Sequence, residues 1–108
     1  MKLSILDRVI IINSLLPASG TIETIKLIIS IKNKIALSIE EIAKCKITNS
    51  ASNMLKFEEI TDELVTRDID YEFTEKEVEF LKKVTANYSG NGWVTETSLS
   101  TVEYILNL

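Results

Sequence analysis

The chain reads as a small, mostly helical α+β domain, with four to five helices and a two- or three-stranded antiparallel sheet. Three observations predict it. Apolar residues recur at helical spacing behind N-terminal capping signals in several segments. A short middle region instead alternates apolar and polar residues, or frames a turn, as strands do. The composition, with 108 residues, 45% of them hydrophobic, three glycines and one proline, is that of a chain with a buried core and not of a disordered one. The length predicts one domain over residues 1–108.

The first element is a helix from about Ser4 to Leu15. Ser4-x-x-Asp7 has the spacing of a capping box, and Pro17 and Gly20 end the segment. It is apolar nearly all round, which places it in the core or at a subunit interface. The β-branched run Val9-Ile10-Ile11-Ile12 keeps a strand as the alternative. Thr21 then caps a second helix, from about Ile22 to Lys34, whose isoleucines recur at helical spacing. Lys26, Ser30 and Lys34 form an i, i+4 stripe on another of its faces. Ser38-Ile39-Glu40-Glu41 is a further capping box and predicts a short helix to about Lys44.

The middle reads as strand, turn, strand: Lys46 to Asn49, the Ser/Asn-rich turn, then Met54 to Glu58. Glu59 to Thr66 fits a strand extension, a helical turn or a loop equally. Ile69, Tyr71 and Phe73 alternate with Asp68, Asp70 and Glu72, the pattern of a strand with one wet face. Thr74-x-x-Glu77 opens a helix from about Glu75 to Tyr88, with Gly90 or Gly92 suited to the left-handed cap that ends it. Thr97 or Ser98 caps a final helix with Leu99, Val102, Ile105 and Leu106 facing inward. The first two helices are expected to form the core with the last two.

Charge divides the sequence. Residues 1–56 carry eight basic side chains against four acids, a net +4, and residues 57–108 carry four against twelve, a net −8. A dipolar surface of this kind suits docking onto another protein or another copy of the chain. The candidate basic partner-binding face is Lys26, Lys32, Lys34, Lys44 and Lys46. The candidate acidic face is Glu58, Glu59, Asp62, Glu63, Asp68, Asp70 and Glu72.

Catalytic vocabulary is sparse, so the expectation is a protein that is not an enzyme and holds no cofactor or metal. Without histidine, Ser–His and Cys–His nucleophile pairs are excluded. Cys45 is the single cysteine, which rules out an internal disulfide and leaves a zinc site only carboxylates to complete it. Asp68, Asp70, Glu72 and Glu79 match four positions of an EF-hand loop, but Phe73 stands where that loop needs glycine, so an acidic strand face is the better reading. No glycine-rich phosphate loop is present. No segment is apolar for long enough to span a membrane, and Asp7 and Arg8 interrupt the apolar start that would mimic a signal peptide, so the expected location is the cytoplasm.

A winged-helix-like DNA-binding regulator is the alternative function, from three helices followed by a hairpin. Acids at the start of the third helix, no arginine between Arg8 and Arg67, and a pI of about 4.9 disfavour nucleic acid.

Lys2-Leu3-Ser4-Ile5-Leu6-Asp7-Arg8, the apolar run after it, Leu16-Pro17, Thr24-Ile25-Lys26 and Leu37-Ser38-Ile39-Glu40-Glu41 together resemble small uncharacterised proteins of tailed phages and prophages. Val94-Thr95-Glu96 is similar to a Leu-Thr-Glu-like stretch before a late helix in those proteins. The middle of the chain hardly matches, and no catalytic motif carries over. The resemblance implies an accessory or host-interfering protein acting through protein–protein contacts in the host cytoplasm. It agrees with the charge pattern in pointing to a protein partner or a homo-oligomer.

Overall fold

A computed structural model describes residues 1–38, 47–49, 55–57 and 62–108. It shows a small α+β fold in which helices predominate. Strand β1 (Lys2–Leu3) leads into helix α1 (Ile5–Ile10), which widens into a π-helical turn over Ile11–Leu15. Helix α2 (Ile22–Ile35) follows, then strands β2 (Ile47–Asn49) and β3 (Leu55–Phe57), a short helix α3 (Asp62–Val65) and strand β4 (Ile69–Asp70). Helices α4 (Glu75–Gly90) and α5 (Glu96–Leu106) complete the chain.

Leu16 N–H reaches back five residues to the Ile11 carbonyl, at 3.0 Å, just before Pro17 stops the helix. The Asn13 side-chain amide also donates to the Val9 carbonyl, at 3.1 Å.

The two sheets are both antiparallel pairs. In one, Ile47, Thr48 and Asn49 pair with Phe57, Lys56 and Leu55, the hairpin that the middle of the sequence predicts. In the other, Lys2 and Leu3 pair with Asp70 and Ile69, which ties the start of the chain to the segment before α4. The period-2 stretch 68–73 is therefore strand over two residues only. Tyr71 and Met1 continue the pairing by one exchange, each nitrogen donating to the other's carbonyl at 2.9 Å, and Tyr71 and Phe73 pack against the core, whereas Ile69, in the same alternating set, is exposed. Of the short helix expected from Ser38 to Lys44, residues 39–44 lie outside the described residues.

The core joins α1 and the π turn to α2, α4 and α5. Leu3, Ile11, Ile31, Ile35, Leu81 and Ile105 are its most buried apolar members. Two expectations for the last helix need correction. Its N-cap is Thr95, not Thr97 or Ser98: Thr95 Oγ1 accepts the Ser98 N–H at 3.1 Å, and Ser98 Oγ accepts the Thr95 N–H at 2.8 Å. The buried face is Ser98, Thr101, Val102 and Ile105, while Leu99 and Leu106 are exposed. Two small polar residues displace the leucines from the interior because each meets a buried polar partner there.

Candidate functional site

Three of the described helices open with a capping box, and in each the third helical residue is buried and does a second job. In α1 it is Asp7, only 1% exposed. Its carboxylate accepts the Ser4 N–H at 2.9 Å and closes the box. It also accepts Arg67 Nε at 2.6 Å, Arg67 Nη2 at 3.0 Å and the Thr101 hydroxyl at 2.5 Å. One carboxylate thus fastens α1 to the α3–β4 connection and to α5. In α4 the residue is Glu77, 2% exposed. It accepts the Thr74 N–H at 2.9 Å, the Ser30 hydroxyl at 2.9 Å and the Lys34 ammonium, which fastens α4 to α2. In α5 it is Ser98, which the Tyr88 hydroxyl of α4 reaches at 3.3 Å.

Arg8 is a fourth polar fastener. It is buried, and its Nε and Nη2 donate to the Ile35 and Ala36 carbonyls at 3.0 and 2.7 Å. Those are carbonyls at the C-terminal end of α2, where a cation is favoured by the helix dipole. Its guanidinium also lies over the Tyr71 ring.

The electrostatics follow from the partners. Burial alone pushes the Asp7 pKa up, but the hydrogen bonds from Arg67, Thr101 and the Ser4 N–H, with the Arg67 charge, outweigh it and hold the carboxyl below its ordinary value. Glu77 behaves likewise: burial raises its pKa, and Lys34, the Thr74 N–H and Ser30 bring it below the ordinary value. Both acids are paired, and their partners favour the ionised form. Every buried side-chain nitrogen and oxygen among the described residues has a hydrogen-bond partner. These groups hold the fold; neither acid is a carboxylate kept protonated for acid catalysis.

What remains for recognition is the surface. Of the candidate basic face, Lys26 and Lys32 are exposed on α2, and Lys34 on the same helix turns to Glu77 and sits over the Phe73 ring. Lys44 and Lys46 lie outside the described residues. Of the candidate acidic face, Glu58 and Glu59 also lie outside them, and Asp62 and Glu63 belong to α3. Asp68 and Glu72 are exposed, and Asp70, also exposed, accepts the Met1 nitrogen at 2.7 Å. Among the described residues, no group of histidine, cysteine or carboxylate side chains is arranged to hold a metal ion.

The structure adds surface features that the sequence reading misses. Beside α5 runs an open groove of about 580 Å³, lined by Arg67, Glu96, Leu99, Glu103, Tyr104 and Leu108 among others. The Arg67 guanidinium stacks 4.3 Å from the Tyr104 ring centre, so the residue that neutralises Asp7 also shapes this groove. A second groove of about 310 Å³ lies between the π turn and α4, with Pro17, Tyr88 and the exposed Trp93 in its walls. On α2, Ile22 and Ile29 are 75% and 52% exposed on either side of Lys26. Placing Leu99 and Leu106 inside concealed the α5 surface. The signal that would have found it is the pair Thr101 and Ser98, whose hydroxyls mark the inward face.

Among the described residues, no helix is long and apolar enough to cross a membrane. Compared with protein-family models, curated proteins and solved structures, the chain has no match.

Proposed function

We propose that this is a non-enzymatic interaction protein that works through protein–protein contacts, with a second copy or a host protein as its partner. The reading extends to a phage-encoded accessory or host-interfering role in the host cytoplasm, on the resemblance of its opening residues. The observation that carries it is the division of labour among side chains. Asp7, Arg67, Glu77 and Lys34 are occupied by structural partners. Large aliphatic side chains are instead exposed beside charged ones on two helices: Ile22 and Ile29 with Glu23 and Lys26 on α2, Leu99 and Leu106 with Glu103 on α5. Aliphatic groups beside charge are what a partner surface offers, the first for affinity and the second for orientation.

Native mass spectrometry of the protein purified gently from its natural host tests this. A mass at an integer multiple of 12.2 kDa above one, or a mass increased by a host protein, supports the reading. Added mass matching a nucleotide, a metal ion or nucleic acid overturns it and, in the last case, restores the winged-helix alternative.

A further inference from the structure

We infer that the partner is a second copy of this chain, and that the exposed stripe of α2 in one copy docks antiparallel against the exposed stripe of α5 in the other. The inference rests on the interaction reading and assigns its site.

The two stripes share one spacing with opposite charge. On α2 the order is Ile22, Lys26, Ile29; on α5 it is Leu99, Glu103, Leu106. Each has an exposed aliphatic residue, a charge four positions later and a second exposed aliphatic residue seven positions after the first. Seven residues of helix are two turns, about 10.5 Å, so both pairs of apolar groups stand equally far apart and on one face. All four are exposed, with Leu99 at 47% and Leu106 at 38%. The charges that face each other are opposite: α5 contains Glu96 and Glu103 and no basic residue, and Lys26 is the exposed cation beside the α2 stripe, with Glu23 one turn nearer the helix start.

The direction follows from the wheel positions. Seen from each N-terminus, Lys26 and Glu103 lie on the same side of their apolar stripes, by about half a right angle at 100° per residue. Two facing helices bring same-side flanks together when they run antiparallel. Ile22 then meets Leu106, Ile29 meets Leu99, Lys26 meets Glu103, and Asn33 comes beside Glu96. The groove next to α5, lined by Leu99, Glu103 and Tyr104, lies on the flank of the stripe where Lys26 arrives.

The two surfaces are different patches of one chain, so each copy offers both. Copies either pair reciprocally or continue head to tail. A contact centred on four aliphatic side chains is below the size of a standard stable interface, so association depends on concentration.

Sedimentation velocity on the intact protein decides the matter, using wild type, Lys26→Glu, Glu103→Lys and an equimolar mixture of the two variants. Both positions are exposed, and circular dichroism confirms that each variant keeps its fold. Wild type is expected to rise above 12.2 kDa with concentration. Each variant alone should lose about tenfold in association constant, because the docked charges now repel. The mixture should recover it, since the carboxylate introduced on α2 of one copy then faces the ammonium introduced on α5 of the other. Wild type that stays monomeric up to about 1 mM, a millimolar constant being the weakest credible contact, overturns the inference. Reversals that leave association unchanged, or a mixture that restores nothing, overturn this interface. If wild type nevertheless associates in that last case, the interaction reading survives and the docking site alone is wrong.

Discussion

Replacing Asp7 with Asn is the sharpest perturbation of the interior, because it keeps the shape of the side chain and removes one acceptor and the charge. In the native chain Oδ2 accepts from the Ser4 N–H and Arg67 Nε, while Oδ1 accepts from Arg67 Nη2 and the Thr101 hydroxyl. The least damaging orientation of the amide puts its NH2 at the Oδ1 position. The Thr101 hydroxyl can then turn to accept, but Arg67 Nη2 meets a donor. One charge-assisted hydrogen bond is lost, worth about 1.5–3 kcal/mol, and the others weaken as the acceptor loses its charge. Arg67 keeps about a quarter of its side chain in solvent, so its unpaired charge rehydrates and the full penalty for an orphaned buried ion does not apply. The expected loss is about 3 kcal/mol, or a fall in Tm of about 12 °C for a chain of this size. Urea titration followed by circular dichroism and Trp93 fluorescence measures it. A loss under about 0.5 kcal/mol, the range of an ordinary surface change, would refute the claim that this carboxylate fastens three parts of the fold.

Acid should have a signed effect. Asp7 and Glu77 both have folded-state pKa values below their ordinary 3.8 and 4.5, so their contribution is complete above those values and disappears as pH falls through the lower folded values. Stability measured by urea titration should therefore drop below about pH 4, and Asp7→Asn should show a shallower drop than wild type. Glu77→Ala removes the acceptor of Ser30, Lys34 and the Thr74 N–H together and is expected to destabilise by about 3 kcal/mol in the same assay, and Lys34→Met should cost a comparable amount because it leaves the buried Glu77 carboxylate without its counter-charge. Gly92→Ala should lower stability by about 1 kcal/mol, since the residue sits at φ 73° with open space around it and the penalty is purely backbone. Leu81→Ala, at a fully buried core position, should cost about 2–5 kcal/mol in thermal unfolding.

The helices were legible in the sequence because caps and apolar periodicity agree. Thr21, Thr74 and Ser4 cap where their spacing says they should, and Ile28, Ile31 and Ile35 point inward as their period requires. The β2–β3 pairing was legible from its turn-rich centre. Asp7, Arg8 and Glu77 were legible as local signals, two of them as capping residues and Arg8 as a break in an apolar run. Their tertiary roles were not, because a cap is read from four neighbouring residues, whereas Arg67 and Thr101 reach Asp7 from 60 and 94 positions away. The Lys26-Ser30-Lys34 stripe held half of one such clue: Ser30 and Lys34 are the two residues of α2 that meet Glu77. On α5 the pattern misled. Leucine is assigned inward by hydrophobicity, yet Thr101 faces in because a buried carboxylate needs its hydroxyl, and that demand originates in α1.

The surface faces were legible only as charge. Net charge by half of the chain suggested complementary patches, but Lys32 lies on a different side of α2 from Lys26, and Lys34 is held by the buried Glu77. Periodicity gives the direction of a side chain; only the packed structure shows which direction is solvent.

The central claim, that this chain acts by charge-complementary association of its own surfaces, is tested most directly by sedimentation equilibrium of the unmodified protein at low and high sodium chloride. The expected result is an average mass above 12.2 kDa at low salt that falls toward that value as salt screens the lysine–glutamate contacts. A mass of 12.2 kDa at every salt and protein concentration would contradict it.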